Sequence, residues 1–488
     1  MSEAIRQLEP SAVWNRFADL NAVPRPSKKE GKVIQFMLDF GEKLGLDTFK
    51  DKVGNVIIRK PATLGMEDRK TVTIQSHLDM VHQKNSGTNF DFEKEGIRML
   101  ISEDWVIAEG TTLGADNGLG VAAIMAILES DSIPHPPVEA LFTIDEETGM
   151  TGAMGLEAGV LQGQILLNLD TEEDDEIDIG CAGGLDVTAN GVYKKHAVMD
   201  NARAYNISVK GLNGGHSGMD IHRGLGNANK IMNRILFEAT TSFGIQLAEI
   251  DGGGLRNAIP RESFATLVVS SDKEQDFKIA MEQWINTLKV EFAEVDPALE
   301  ITITPTELPG KVMDPEDQQR ILRAIYAAWN GVYTMSTSIA GLVESSNNIA
   351  RVLVGDGKIT ISCLTRSSVE SSKADLANTL KAVFELAGYA VKFSGSYPGW
   401  RPNPDSEILK VLSSQYKTLF QEEPRVVACH AGLECGILGQ HYPEMDMISI
   451  GPTIEGAHSP DERLSIPSVQ KFWKFLKAVL ENTPKNQD

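Results

Sequence analysis

The chain has 488 residues, 42% of them hydrophobic and 23% charged. It is too long for one ordinary domain and long enough to bury a sizeable core without staples. Acidic residues number 68 against 46 basic ones, a net charge of −22, which argues against an electrostatic nucleic-acid binder, since such a field repels phosphate backbones and tolerates cations. The four cysteines, Cys181, Cys363, Cys429 and Cys435, form no CxxC pair, so neither a disulfide-dense scaffold nor a thiolate zinc knuckle is expected. The opening MSEAIRQLEPSAVWNRF lacks signal-peptide character, and no apolar run approaches the ~20 residues that span a bilayer. A soluble cytoplasmic protein, with neither membrane nor nucleic acid as partner, is the expectation.

In chain order, helices are predicted over 10–20, with Ser11 as a possible cap, and over 28–44. β-rich runs follow at 55–59, 71–76, 138–144 and 165–169, with a mostly apolar helix at 119–129 among them. That alternation predicts an α/β mixed sheet flanked by helices. From 190 to 395 the texture changes. Strand-like runs at 204–209, 265–269 and 358–363 interleave with helical stretches at 227–239, 276–295 and 315–329. Asn257-Ala-Ile-Pro runs into 265–269 and a Ser-Ser pair, and Asn348-Ile-Ala runs into 358–364 and another Ser-Ser pair, a pattern expected of an internal duplication. Residues 396–404 read as a re-entry linker. A helix at 406–419, a strand at 445–450 and a helix at 468–482 then return to the first texture. The expected organisation is one α/β domain, residues 1–186 and 399–488, split by an inserted α+β lid domain, 187–398.

Candidate chemistry gathers at predicted strand exits. His77 and Asp79 follow the run 71–76, and Asp116 sits in TTLGADNG just before a helix. Glu146 and Glu147 follow 138–144, Asp170 ends 165–169, and His458 lies beyond 445–450. In open α/β sheets that edge binds ligands. Imidazole and carboxylate donors together suit zinc or a similar divalent cation. Two ions ~3.5–4 Å apart can share one carboxylate, and Asp116, flanked by glycines, is the natural bridge. Asp79 can accept the ring N–H that His77 leaves unused. Of Glu146 and Glu147, one is expected to bind metal and the other to act as general base. The acidic run 170–178 reads as a solvated loop beyond Asp170.

The motifs SHLDMV (76–81), TTLGADNGLG (111–120), IDEETGM (144–150), NLDTEE (168–173), GGHSGMDIHRGLGNANK (214–230) and SIGPTIEGAHSPDERL (449–464) resemble the dizinc exopeptidases. IRKPATLGME (58–67), GCAGG (180–184), LRNAIPRE (255–262), YPGW (397–400) and HAGLECG (430–436) resemble the bacterial dipeptidase branch of that family. The resemblance implies two zinc ions, with cobalt or manganese as substitutes. It implies His77, Asp116 and Asp170 on one ion, Asp116, Glu147 and His458 on the other, Asp79 as orienting acid and Glu146 as base. It implies that His216, Asn257 and Arg366 bind substrate, although 265–271 lacks the arginine that relatives carry after the first Asn-x-Ile-Pro. Hydrolysis of Xaa-His and other unblocked L-dipeptides, β-alanyl-histidine included, by a hydroxide between two zincs is the implied activity, in a homodimer. A deacylase or carboxypeptidase on the same site is the alternative, and a non-catalytic peptide- or metal-binding protein a more distant one.

Overall fold

The computed structural model describes residues 2–486, which divide into two compact units. The first comprises, of these, residues 2–181, 400–428 and 433–486, and the second residues 182–399 with 429–432.

The first unit is built on an eight-stranded sheet. Its spatial order is Asp47–Lys50, Val56–Lys60, Val138–Thr143, Val72–His77, Ile165–Asn168, Asp446–Ser449, Glu176–Cys181, Arg425–Cys429. The four central strands, Val138–Thr143 through Asp446–Ser449, run parallel, and antiparallel strands flank them. Parallel strands covered on both faces bury every position, and both Val72–His77 and Val138–Thr143 are buried throughout. Helix Ala115–Glu129 is apolar all round and buried, against helix Ser11–Asn21 and strand Val72–His77. Helix Ile466–Glu481 is amphipathic instead. Val469, Phe472, Trp473, Leu476, Val479 and Leu480 recur at helical spacing on its buried face, and Ser465 caps it by accepting from the Ser468 N–H.

Ser11 does not cap the first long helix. The cap position is Pro10, and the Ser11 N–H bonds the Glu9 carboxylate at 3.2 Å, so an acid two residues upstream satisfies that end. A small sheet of Met99–Ser102, Trp105–Ala108, Ile454–Glu455 and Arg463–Ser465 had no predicted counterpart. Its strands are too short for periodicity to register.

The second unit carries a nine-stranded sheet, eight of whose strands form two βαββαβ halves, with Gly331–Met335 pairing beside Val343–Gly355 as the ninth. In one, strands Ala202–Lys210, Gln246–Gly253, Ser263–Ser270 and Glu300–Thr306 take the spatial order fourth-first-third-second. In the other, Gly183–Val192, Val343–Gly355, Lys358–Ser367 and Ala390–Tyr397 take the same order. The two second strands pair antiparallel and join the halves. The duplication is therefore one of topology. The runs at 265–269 and 358–364 are both third strands, but Asn257 lies in a loop while Asn348 lies inside a second strand.

Candidate active site

Each of the four parallel strands delivers a candidate side chain at or beyond its C-terminal end. His77 is the last residue of its strand. Asp170 follows Ile165–Asn168, and His458 lies in a turn beyond Asp446–Ser449 with φ +65°. Glu146 and Glu147 begin a short helical turn, Glu146–Gly149, rather than ending a strand. Asp116 sits at the start of helix Ala115–Glu129 with non-helical φ −81°, ψ 111°. Gly114 before it holds φ +68°, a left-handed conformation that favours glycine. Gly120 lets the helix approach the strand ends, because a Cβ there would lie 2.4 Å from Ser76 Oγ and 2.8 Å from the Leu169 carbonyl.

Asp116 faces two imidazoles. Its Oδ1 lies 3.1 Å from His77 Nε2 and its Oδ2 lies 3.1 Å from His458 Nε2. Asp170 Oδ1 is 3.5 Å from His77 Nε2, and Glu147 Oε2 is 3.1 Å from His458 Nε2. The ligand atoms of His77, Asp116 and Asp170 lie within 4.8 Å of one another, as do those of Asp116, Glu147 and His458. Two such groups sharing one carboxylate fit a pair of divalent cations by donor type and spacing. Glu146 belongs to neither group.

The charges reflect this crowding. Burial opposes a proton on His77, but Asp170, Asp116 and Asp79 outweigh it and hold its pKa well above the usual imidazole value. Hydrogen bonds to Asp116 and Glu147 push His458 up to about 11. Burial favours a protonated Asp116, yet His458 and His77 hold it well below the carboxylate range. Burial pushes Glu146 well above that range.

Asp79 does more than orient a ring. The backbone carbonyl of Asp79, at 3.1 Å, is nearer His77 Nδ1 than its carboxylate, at 3.5 Å. The carboxylate also accepts from the N–H groups of Glu146 at 3.0 Å and Glu147 at 3.3 Å, and from Ser27 Oγ at 2.8 Å. One side chain thus links the histidine strand to the Glu146–Glu147 turn.

Three buried residues at this site had no assigned role. Glu462 accepts from the N–H groups of Leu113, Gly114, Ala115 and Asp116 at 2.6, 2.9, 2.7 and 3.3 Å, which fixes the Asp116 loop. The Arg25 guanidinium donates to the carbonyls of Leu78, Asp79 and Gly114. Burial lowers its pKa to about 10. Glu434, on helix Glu434–His441, contacts Gln75 and Thr143 below the strand ends. Glu462 stands four residues after His458 in a motif already singled out, which was a usable signal. Nothing in the sequence separates Arg25 from a surface arginine. The Glu462→Ala variant is expected to lose at least ~3 kcal/mol, since it strands several buried donors of charged hydrogen bonds. Urea unfolding at matched m value checks it. The acidic run is also less solvated than expected, because Asp178 is buried and accepts from Thr171 Oγ1 at 2.9 Å.

In the second unit, Arg366 is buried, donating to Tyr397 Oη at 2.7 Å, with its Nη2 3.3 Å from His216 Nε2. His216 Nδ1 accepts from the N–H groups of Gly218 and Met219, which assigns the ring proton to Nε2. Asn257 is exposed, and its carbonyl accepts from the Ser217 N–H at 2.8 Å. His430 is buried with Nε2 2.8 Å from Ser346 Oγ. Burial, aided by Arg366, lowers its pKa to about 3. The folded protein therefore leaves His430 neutral while the unfolded chain takes up a proton below pH ~6.5. Its contribution is complete above that pH and declines as pH falls toward 3, by about 1.4 kcal/mol per unit. A His430→Gln variant is expected to lack that component in urea titrations across the window.

The sequence pattern of peptidase family M20/M25/M40 matches residues 73–482. The chain is 42% identical over 484 residues to the cytosol non-specific dipeptidase of Escherichia coli strain K12, covering 99% of this chain and 100% of the relative. The crystal structure of aminoacylhistidine dipeptidase from Vibrio alginolyticus matches with a TM-score of 0.92 at 42% identity, over 100% of both chains. The aminopeptidase PepT from Bacillus cereus shares the fold, with a TM-score of 0.57 at 16% identity over 97% of this chain and 98% of that one. Among the described residues no helix is long and apolar enough to cross a membrane. With a family match across most of its length and a relative of this similarity end to end, the chain belongs to peptidase family M20/M25/M40 and is a hydrolase acting on peptide bonds.

Proposed function

We propose that this chain is a dizinc dipeptidase that hydrolyses unblocked L-dipeptides, Xaa-His and β-alanyl-histidine among them. The observation that carries the reading is the single Asp116 carboxylate with one oxygen 3.1 Å from each of two imidazoles. His77, Asp116 and Asp170 would hold one ion, and Asp116, Glu147 and His458 the other. Zinc suits these donors, and cobalt or manganese could replace it. When bound, the pair would lower the pKa of a shared water and polarise the scissile carbonyl.

The chain's own groups do the rest. Glu146 takes the proton of the attacking water and returns it to the leaving amine. Asp79 fixes both the His77 ring and the turn that carries Glu146. His216 Nε2 and Arg366 Nη2 lie 3.3 Å apart, close enough to meet one substrate together. Arg366 suits the substrate carboxylate. His216 suits the carbonyl oxygen as it becomes negative, with Asn257 beside it. The names of the E. coli and Vibrio relatives, a non-specific dipeptidase and an aminoacylhistidine dipeptidase, support this substrate class. A homodimer and a cytoplasmic location accompany it, and sedimentation checks the first.

The test is a panel of β-alanyl-histidine, neutral L-dipeptides and N-acetyl amino acids, assayed after chelation and again after zinc is restored. Cleavage of the free dipeptides alone, lost on chelation and regained with zinc, is the expected result. Cleavage of only the N-acetyl compounds would make the protein a deacylase, and silence throughout would remove the enzymatic reading.

A further inference from the structure

The interior of a covered parallel sheet is ordinarily apolar. Here a row of polar side chains crosses it just below the strand ends. Gln75, Asn168, Ser449 and Asp178 are register partners on four neighbouring strands. Asn168 Nδ2 donates to Gln75 Oε1 at 2.6 Å, and Ser449 Oγ donates to Asn168 Oδ1. Thr171 Oγ1 lies 2.8 Å from Ser449 Oγ and donates to Asp178. At the other end, Glu434 Oε2 accepts from Gln75 Nε2 and Thr143 Oγ1, both at 2.6 Å. Glu434, Gln75, Thr143, Asn168 and Ser449 are all wholly buried, and Glu434 Oε1 has no hydrogen-bond partner among the described residues.

A buried carboxylate with an unpartnered oxygen is costly, and apolar packing would avoid that cost. Its neighbours explain what it is placed to do. Gln75 stands two residues before His77, Thr143 three before Glu146, and Asn168 two before Asp170. Ser449 ends the strand whose exit loop carries His458. The row therefore ties together the backbones from which the metal donors and the base project. Burial pushes the Glu434 carboxyl up to about 7, so it tolerates losing its charge so long as it still accepts two bonds.

Resting on the dizinc reading above, we propose that Glu434 is a positioning residue for the metal centre. Acting through Gln75 and Thr143, it sets the spacing of the strand ends that present the zinc donors. Groups hydrogen-bonded directly to metal ligands are typically worth 10–100-fold in metal affinity, and Glu434, which acts one bond further out, is expected at the lower end of that span.

The experiment measures zinc affinity of the metal-free protein by chelator competition, beside kcat, KM and thermal unfolding without metal. Glu434→Ala is expected to weaken zinc binding about 10-fold and to lower kcat with KM little changed. Glu434→Gln, which retains an oxygen able to accept both bonds, is expected to restore zinc affinity. A folded Glu434→Ala protein with unaltered zinc affinity overturns the proposal, even if its melting temperature falls, because the role would then be structural only. A Glu434→Gln protein as impaired as the alanine variant overturns it too. Should Glu434→Ala fail to fold, Thr143→Val removes one of the two bonds at constant shape. Weaker zinc binding there supports the proposal, and unchanged binding overturns it. An unaltered protein that binds no zinc would overturn the dizinc reading and this assignment with it.

Discussion

Replacing Glu146 with glutamine is expected to lower kcat for dipeptide hydrolysis by about 10²–10⁴-fold, the usual span for removing a general base, while both zinc ions remain bound. Glutamine keeps the shape of the side chain but cannot take a proton. Retention of metal follows from geometry, since Glu146 contributes to neither donor group. The backbone at this position is also held independently, through the bond from the Glu146 N–H to Asp79. Steady-state kinetics with metal analysis on the same sample decides the matter. A fully active variant with two ions would move the base role elsewhere.

Asp116→Ala is expected to act on the metals themselves. It removes an oxygen from both groups at once, leaving His77 with Asp170 and His458 with Glu147. Two protein donors are too few for a stable zinc site. Zinc content should therefore fall from two ions to below one, and activity to that of the chelated enzyme. Asp116→Asn keeps one oxygen and should retain about one ion. Two retained ions in the alanine variant would show that Asp116 is not the shared ligand.

The strands that carry the candidate site were legible because their chemistry is local. Runs such as VEALFT at 138–143 and ILLN at 165–168 are apolar enough to announce buried strands, and the acids follow within three residues. Helix boundaries erred by up to four residues, as at Ala115–Glu129, expected to begin at 119, and the capping at Ser11 falls to Glu9 instead. The supports of the site were not legible, because their partners lie far along the chain. Glu462 bonds a loop 346 to 349 residues away, and Glu434 reaches Gln75 across 359. No periodicity or motif spacing encodes such a pairing. The sequence assigned Asp79 to the ring of His77, which its carboxylate faces at 3.5 Å, but that carboxylate also holds two backbone N–H groups and Ser27 Oγ. Local spacing cannot show a turn folding back from the next strand.

The sheet of the first unit draws strand Asp446–Ser449 into its middle, between Ile165–Asn168 and Glu176–Cys181. On the ribosome this has a price in time. Once residue 181 has been made, the rest of the chain up to that strand takes roughly 10–50 s to synthesise at ~5–20 residues per second. For that interval Ile165–Asn168 presents an open edge, the kind of surface that pairs with other chains. Four of the proposed metal donors also wait for His458. A nascent or prematurely terminated chain thus exposes a pairing edge while it still lacks His458, one donor of the proposed second metal group.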